Sequence, residues 1–530
     1  MRALLPLLAL ALTGCVIIDD APRQGGDPGM EAMRPPSEVS RLGPTAGTAE
    51  RAAAEALDRI AELNPDVNAV IAVDPTALDQ ARTLDRSRAA RGPLFGRPVL
   101  IKDNIETLGP LPTTAGSMAL LGNVTNRDAP LVANLRRAGA VIVGKANLSE
   151  WANIRDTGSI SGWSAVGGQT RNPHALDRNP CGSSSGSGAA VAAGMADIAI
   201  GTETDGSVTC PAAVNGIVGM KPTVGLVSRT HVIPISHSQD TPGPMTRTVR
   251  EAALTLSAMA GGDPADEATR EADRRRVDYA AGLNPDALRG KRIGVMRFAT
   301  GFGTDEAFEA ALATLRAQGA TLVDIKEGPN RGEIGRNELT VLLTEFKQDL
   351  NAYLATTPPS VTTRTLADVI RFNNENATRE LGLFGQDLFV RAEQTKGYDA
   401  EYRKARATSL RLAGAEGIDK LLREHRVVAL VGPTMPAAWP IDVVHGDAYP
   451  GAGAGGLAAV AGYPHLTVPM GQTKGLPVGL SFIGPKWADA LVLQLGYAFE
   501  QARGPLPEPR FLPSLEVDPR TQELLQPLSR

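Results

Sequence analysis

Short strand-like runs recur along almost the whole of this chain, and the helical stretches that alternate with several of them leave few architectures open. The runs are RPVLIKD at 97–103, AVIVGKAN at 140–147, ADIAIGTETDG at 196–206, KRIGVMR at 291–297, RVVALVGPTMP at 426–436, PHLTVPMG at 464–471 and LPVGLSFIG at 476–484. With helices such as Asp305 to Gln318 among them, the pattern predicts an α/β protein built on one large sheet. Upstream, TAGTAERAAAEALDRIAELNPDVNAVIAV begins an amphipathic helix with Ala53, Ala56, Leu57 and Ile60 on one side. That helix is expected to stop at Asn64-Pro65, before a strand AVIAV, and a second helix is expected over Ala77 to Arg91. Residues from about 330 to 425 are helix-rich and polar, an insertion or a cap over the sheet. The main domain is placed at 45–503, and the Pro-rich tail at 504–530 is expected to wrap the surface.

The N-terminus reads MRALLPLLALALTGC, with an apolar run too short to span a bilayer, and is expected to be an exported protein's signal peptide over residues 1–14. Its end resembles a bacterial lipobox, which would make Cys15 the lipidated first residue of a mature protein in the cell envelope. Residues 15–44, rich in Pro, Gly and acids, then form a tether. The chain carries 54 basic and 58 acidic residues, a balance that gives no sign of a nucleic-acid partner. Cys181 and Cys210 are too few for a disulfide framework, and two buried free thiols are the expectation, with a bridge between them as the alternative. No ligand spacing for a metal is present, and no cofactor is expected.

The stretch CGSSSGSG at 181–188 could be a linker, a phosphate cradle or part of a catalytic centre. Its apolar, structured flanks argue against a linker, and the GxxxxGK[ST] and GxGxxG orders are missing. Gly182 to Gly186 fits GxSxG with Ser184 as nucleophile, but none of the six histidines has the local context of a base. Lys102 is the candidate instead. It leaves an apolar strand in VLIKDNI, where burial would lower its pKa toward neutrality and let it act as a base. Gly201 to Pro211, GTETDGSVTCP, ends a strand and turns sharply, presenting consecutive amides and Ser207.

Taken together, IKDNI, KANLSEWAN, QTRNP, GSSSGSGAAVAAG, TETDGS, QDTPGPMTRTV, AGYPHLTVPMG and GLPVGLSFIG resemble the amidase signature family from about residue 45 to 500. The resemblance implies a single α/β domain with a central mixed sheet. It also implies a site of Lys102, Ser183 behind a cis Gly182–Ser183 bond, and Ser207 as nucleophile. The amides of Thr204, Asp205, Gly206 and Ser207 would form the oxyanion hole. Ser184, Ser185 and Ser187 would be capping and packing residues, and Glu150 and Trp151 are the candidates for the acyl-binding site. Asp205 and Cys181 stand where many members carry glycine, and Thr209 where many carry arginine. These departures resemble the peptide amidase and plant amidase subgroup and point away from the amidotransferase component that acts on transfer RNA. The implied activity is release of ammonia from C-terminal peptide amides. The alternatives are a general aliphatic or aryl amide hydrolase and a non-catalytic amide-binding envelope lipoprotein.

Overall fold

The computed structural model describes residues 47–88, 91–448 and 453–527. The expected signal peptide, Cys15 and the tether lie outside the described residues. Its strands are β1 (Val70–Val73), β2 (Pro98–Lys102), β3 (Val141–Ala146), β4 (Trp163–Ser164), β5 (Gly168–Gln169), β6 (Ile198–Glu203), β7 (Val218–Lys221), β8 (Thr241–Thr246), β9 (Arg292–Met296), β10 (Thr321–Ile325), β11 (Ala429–Pro433), β12 (His465–Thr473) and β13 (Leu476–Ile483). Eleven of them form one sheet in the order β1-β3-β2-β6-β8-β7-β12-β13-β11-β9-β10, and β4 with β5 makes a small ribbon. β2 runs parallel to β3 and β6, and β9 parallel to β10 and β11, while the other junctions are antiparallel. This is one large α/β domain on a mixed sheet.

Side-chain alternation explains the burial of both faces. In β2, Val99 and Ile101 enter one apolar layer and Leu100 the other, and in β6 Ile198 and Ile200 part from Ala199 in the same way. A strand covered on two faces needs apolar residues at every position, as these runs have.

Several boundaries differ from expectation. The first helix, Thr48–Val67, runs through Asn64-Pro65. The Asn64 side chain accepts from the N–H groups of Ala69 and Val70 at 2.8 Å each, and Asn68 closes the helix in the left-handed conformation. The second helix ends at Arg86, ahead of the expected Arg91, because Ser87 turns to extended backbone. β8, TPGPMT, carries two prolines in a central strand, which composition argues against. They stand two apart, so both missing N–H groups fall on the same side of the strand.

Between residues 331 and 425 the chain is helical, beginning with the long helix Arg331–Leu354. Phe346, Leu350, Tyr353 and Phe389 from this region pack with Ala115, Leu120, Trp151, Ile154 and Ile235. Those partners lie on the segments that leave β2 and β3 and on the approach to β8, so the insertion caps one end of the sheet. The tail lies along residues 173–178, where Phe511 N donates to Pro173 O at 2.9 Å and Leu176 N to Leu512 O at 2.7 Å.

Candidate active site

Three neighbouring parallel strands, β3, β2 and β6, end on the same side of the sheet, where α/β proteins commonly hold their ligands. Lys102 is the last residue of β2 and shares the parity of Leu100, so its side chain leaves on the face covered by the helix Ser185–Ala192. That helix approaches closely because of its glycines: a Cβ on Gly186 would lie 2.1 Å from Ala69 O. Ser183, just before it, is thereby set over the lysine.

Lys102 Nζ is 2.7 Å from Ser183 Oγ, 2.8 Å from Thr202 Oγ1 and 3.4 Å from Thr202 O. Asn104 Nδ2 donates to the same Thr202 hydroxyl at 3.0 Å. Lysine and serine have no exposed surface. Burial pushes the lysine down to about 7, against the pull of the Asp240 and Glu203 charges. The Gly182–Ser183 peptide bond is cis. Ser183 O accepts from Ser149 N at 3.0 Å, and Ser184 N donates to Ser207 O at 3.1 Å, which ties the glycine-serine loop to the turn after β6.

That turn is held from both sides. Beneath it, Glu203 Oε2 accepts from Val208 N and Thr209 N at 2.9 Å each and from Thr209 Oγ1 at 3.1 Å. Behind it, Thr204 Oγ1 donates to Asp240 Oδ1 at 2.6 Å, and Asp240 Oδ2 accepts from Ile235 N and Ser236 N. Gly206 has φ 80°, a conformation glycine adopts without steric cost. The N–H groups of Asp205, Gly206 and Ser207 have no protein acceptor among the described residues. Ser207 itself is 8% exposed.

Two further carboxyls face this turn. Glu338, from the insertion, accepts from Gln239 Nε2 at 2.8 Å, and the same amide reaches Thr204 O at 3.3 Å. The surrounding protein and the Glu203 charge raise Asp205, whose side chain still meets solvent, to about 7, and burial raises Glu338 to about 8 with help from the Asp205 charge. Sequence reasoning misses Glu203, Gln239, Asp240 and Glu338. Glu338 is brought in by a distant segment and carries no local signal, whereas Glu203 stands in plain view inside TETDGS and Gln239 and Asp240 open QDTPGPMTRTV.

Ser184, Ser185 and Ser187 pack as hydroxyl ties: Ser184 Oγ and Ser187 Oγ donate to Thr202 O and Ile200 O at 3.2 Å each, and Ser185 Oγ to Cys181 O at 2.6 Å. None of them caps the helix end through its side chain. Glu150 and Trp151 are turned into the protein. Glu150 pairs with the buried Arg155 and accepts from Ala165 N at 2.7 Å, and burial raises its carboxyl well above the usual range. Trp151 meets Phe389 of the insertion edge to face at 5.8 Å. This segment reaches the site through its backbone, at Ser149.

Cys181 and Cys210 are joined in a disulfide, correcting the expectation of two free thiols. Nothing in the sequence shows that the loop before Ser183 and the helix after Ser207 lie side by side, which is what brings the sulfurs together. Among the described residues no histidine hydrogen-bonds to Ser183 or Ser207. Burial pushes His465 down to about 3 and His174 to about 4, and they bond to Ser481 Oγ and Asn215 O. Among the described residues, His237, Glu345 and Asp349 are the one cluster of possible metal ligands, and there His237 Nδ1 lies 2.9 Å from Asp349 as an ion pair whose hydrogen bond raises the imidazole.

Comparison with known proteins agrees with this geometry. Residues 51–493 match the protein family described as Amidase. A probable amidase of Arabidopsis thaliana is 40% identical over 469 residues, covering 86% of this chain and 87% of that protein. The crystal structure of native peptide amidase from Stenotrophomonas maltophilia superimposes with a TM-score of 0.83 at 50% identity, over 89% of this chain and 96% of that one. An amidase family protein from Bacillus anthracis superimposes with a TM-score of 0.78 at 36% identity, over 87% of this chain and 89% of that one. With its family match spanning most of the mixed sheet and both serine segments, the chain belongs to the amidase signature family and is a hydrolase of amide C–N bonds.

Proposed function

We propose that the chain releases ammonia from C-terminal carboxamides of peptides through an acyl-enzyme on Ser207. The observation that carries this is the 2.7 Å contact between Ser183 Oγ and a buried Lys102 held near neutrality, one residue from the backbone bond between Ser184 and Ser207. Neutral Lys102 accepts the Ser183 proton while Ser183 accepts that of Ser207, whose oxygen attacks the carbonyl carbon. The oxygen of the tetrahedral intermediate gains charge, and the donors of the 204–207 turn receive it; losing one such donor typically costs about a hundred- to thousandfold. The proton returns along the same chain to the leaving nitrogen, and ammonia departs. Water then attacks the ester, gives its proton to the relay, and the free acid leaves as Ser207 is reprotonated.

The peptide preference draws on the likeness to a peptide amidase of 50% identity and on the resemblance of CGSSSGSG and TETDGS to that subgroup. Incubation with an amidated dipeptide is expected to yield equal amounts of ammonia and free acid, and cleavage within a longer amidated peptide without ammonia would overturn the preference. Ser207→Ala is expected to lose activity and fluorophosphonate labelling together. The envelope location and lipidation at Cys15 belong to the same proposal and rest on MRALLPLLALALTGC alone. Metabolic labelling with a palmitate analogue, lost in Cys15→Ser, tests them.

A further inference from the structure

Cysteines flank both serines of the proposed relay. Cys181 precedes the Gly182–Ser183 pair, Cys210 lies in the first turn of the helix that follows Ser207, and the two sulfurs are joined. Cys181 has φ 57°, a left-handed backbone that side chains with a Cβ rarely adopt. The chain therefore holds a residue at odds with its backbone at the position whose sulfur is bonded to the helix after Ser207. Both cysteines are nearly buried, at 6% and 3% exposure.

The two segments are also joined without it. Asn215 Nδ2 donates to Pro180 O at 2.9 Å and to Pro211 O at 2.7 Å, and Asn179 Oδ1 holds Cys181 N at 2.8 Å. These bonds fix the neighbourhood of the loop. Relay of a proton between two hydroxyls demands more, because a misplacement of about 1 Å can cost about a hundredfold in rate.

We propose that the Cys181–Cys210 disulfide is a clamp that positions Ser183 against Ser207, making both cysteines positioning residues for acylation and the rate dependent on their redox state. The inference rests on the Ser207–Ser183–Lys102 assignment. In the reduced form a dithiol reductant has given its two hydrogens to the cysteine sulfurs and closed into its own disulfide, and an oxidant of the disulfide class reverses the exchange. Asn215 still bridges the segments, so the fold persists while the separation of the two hydroxyls is free to vary.

The test uses the full chain as wild type, Cys181→Gly/Cys210→Ala, Cys181→Ser/Cys210→Ser and Ser207→Ala, measuring thermal midpoint, kcat, KM and fluorophosphonate labelling rate. The glycine-bearing variant relieves the left-handed position and is expected to fold with KM nearly unchanged, while kcat and labelling fall about ten- to hundredfold. Reduction of the wild type, verified by thiol titration, is expected to lower kcat equally, and reoxidation to restore it. Unchanged kcat and labelling in folded protein shown to lack the disulfide overturns the clamp. If the variants do not fold, the reduced wild type decides by the same readouts. Activity retained by Ser207→Ala would instead overturn the nucleophile assignment, so the two failures are distinguishable.

Discussion

Lys102 and Lys145 stand on adjacent parallel strands, neither with any exposed surface, in surroundings that differ by one carboxyl group. Lys145 Nζ lies 3.1 Å from Asp103 Oδ1 and donates to Ile105 O at 2.7 Å and Thr113 Oγ1 at 2.9 Å. Among the described residues, Lys102 Nζ meets two hydroxyls and a carbonyl. Burial pushes both lysines down, but at Lys145 the Asp103 charge opposes it in direct contact. On the proposed mechanism, desolvation alone does not make a base. A touching carboxylate gives the proton a reason to stay, whereas a touching hydroxyl gives it a route away.

The comparison breaks most readily at the two lysines themselves. Lys102→Met is expected to lower kcat by about a hundred- to ten-thousandfold, the range of a lost general base, with the thermal midpoint nearly kept. Lys145→Met should do the opposite, because it strands Asp103 and costs about 3–5 kcal/mol of stability. Calorimetry and ammonia release on both variants decide it, and the reverse assignment of losses would invert the comparison.

A smaller effect is sharper. As pH rises through about 7, Lys102 loses its proton and kcat/KM is expected to climb to a plateau. Because the unfolded lysine holds its proton up to about 10.5, the unfolded chain binds more protons than the native one between these values. Stability associated with Lys102 therefore rises with pH across that window. Asp205 titrates in the same range, so the profile is repeated in Asp205→Asn. A limb that vanishes there belongs to the carboxyl and not to the lysine.

The least effect comes from single hydroxyls. Thr202→Val removes a partner of Lys102 and is expected to reduce kcat about tenfold, whereas Thr113→Val should cost about 1 kcal/mol of stability and leave kcat alone. Equal loss of rate in both would erase the distinction between the pockets.

Much of this is legible in the sequence where the information is local. The strands around Lys102 and Ser207 show as apolar runs, and Lys102, Ser183 and Ser207 each sit in a motif that resembles a known one. The proline-bearing β8 does not read as a strand, because propensity opposes it and its place between β6 and β7 is what supports it. Glu150 and Trp151 mislead for a related reason. Polar and aromatic residues beside a motif can face the substrate or the interior, and Arg155 and Phe389, which turn these two inward, belong to contacts no linear pattern reveals. The disulfide and the Glu338–Gln239–Thr204 chain join segments far apart in sequence, so topology alone could supply them.

That last chain makes the helical cap a participant in reactivity. Glu338 belongs to the long helix that opens the insertion, yet through one glutamine amide it reaches the carbonyl of Thr204 at the base of the turn after β6. Exchanging the cap between relatives would therefore retune the electrostatics of the turn, and with it the pH response of the site.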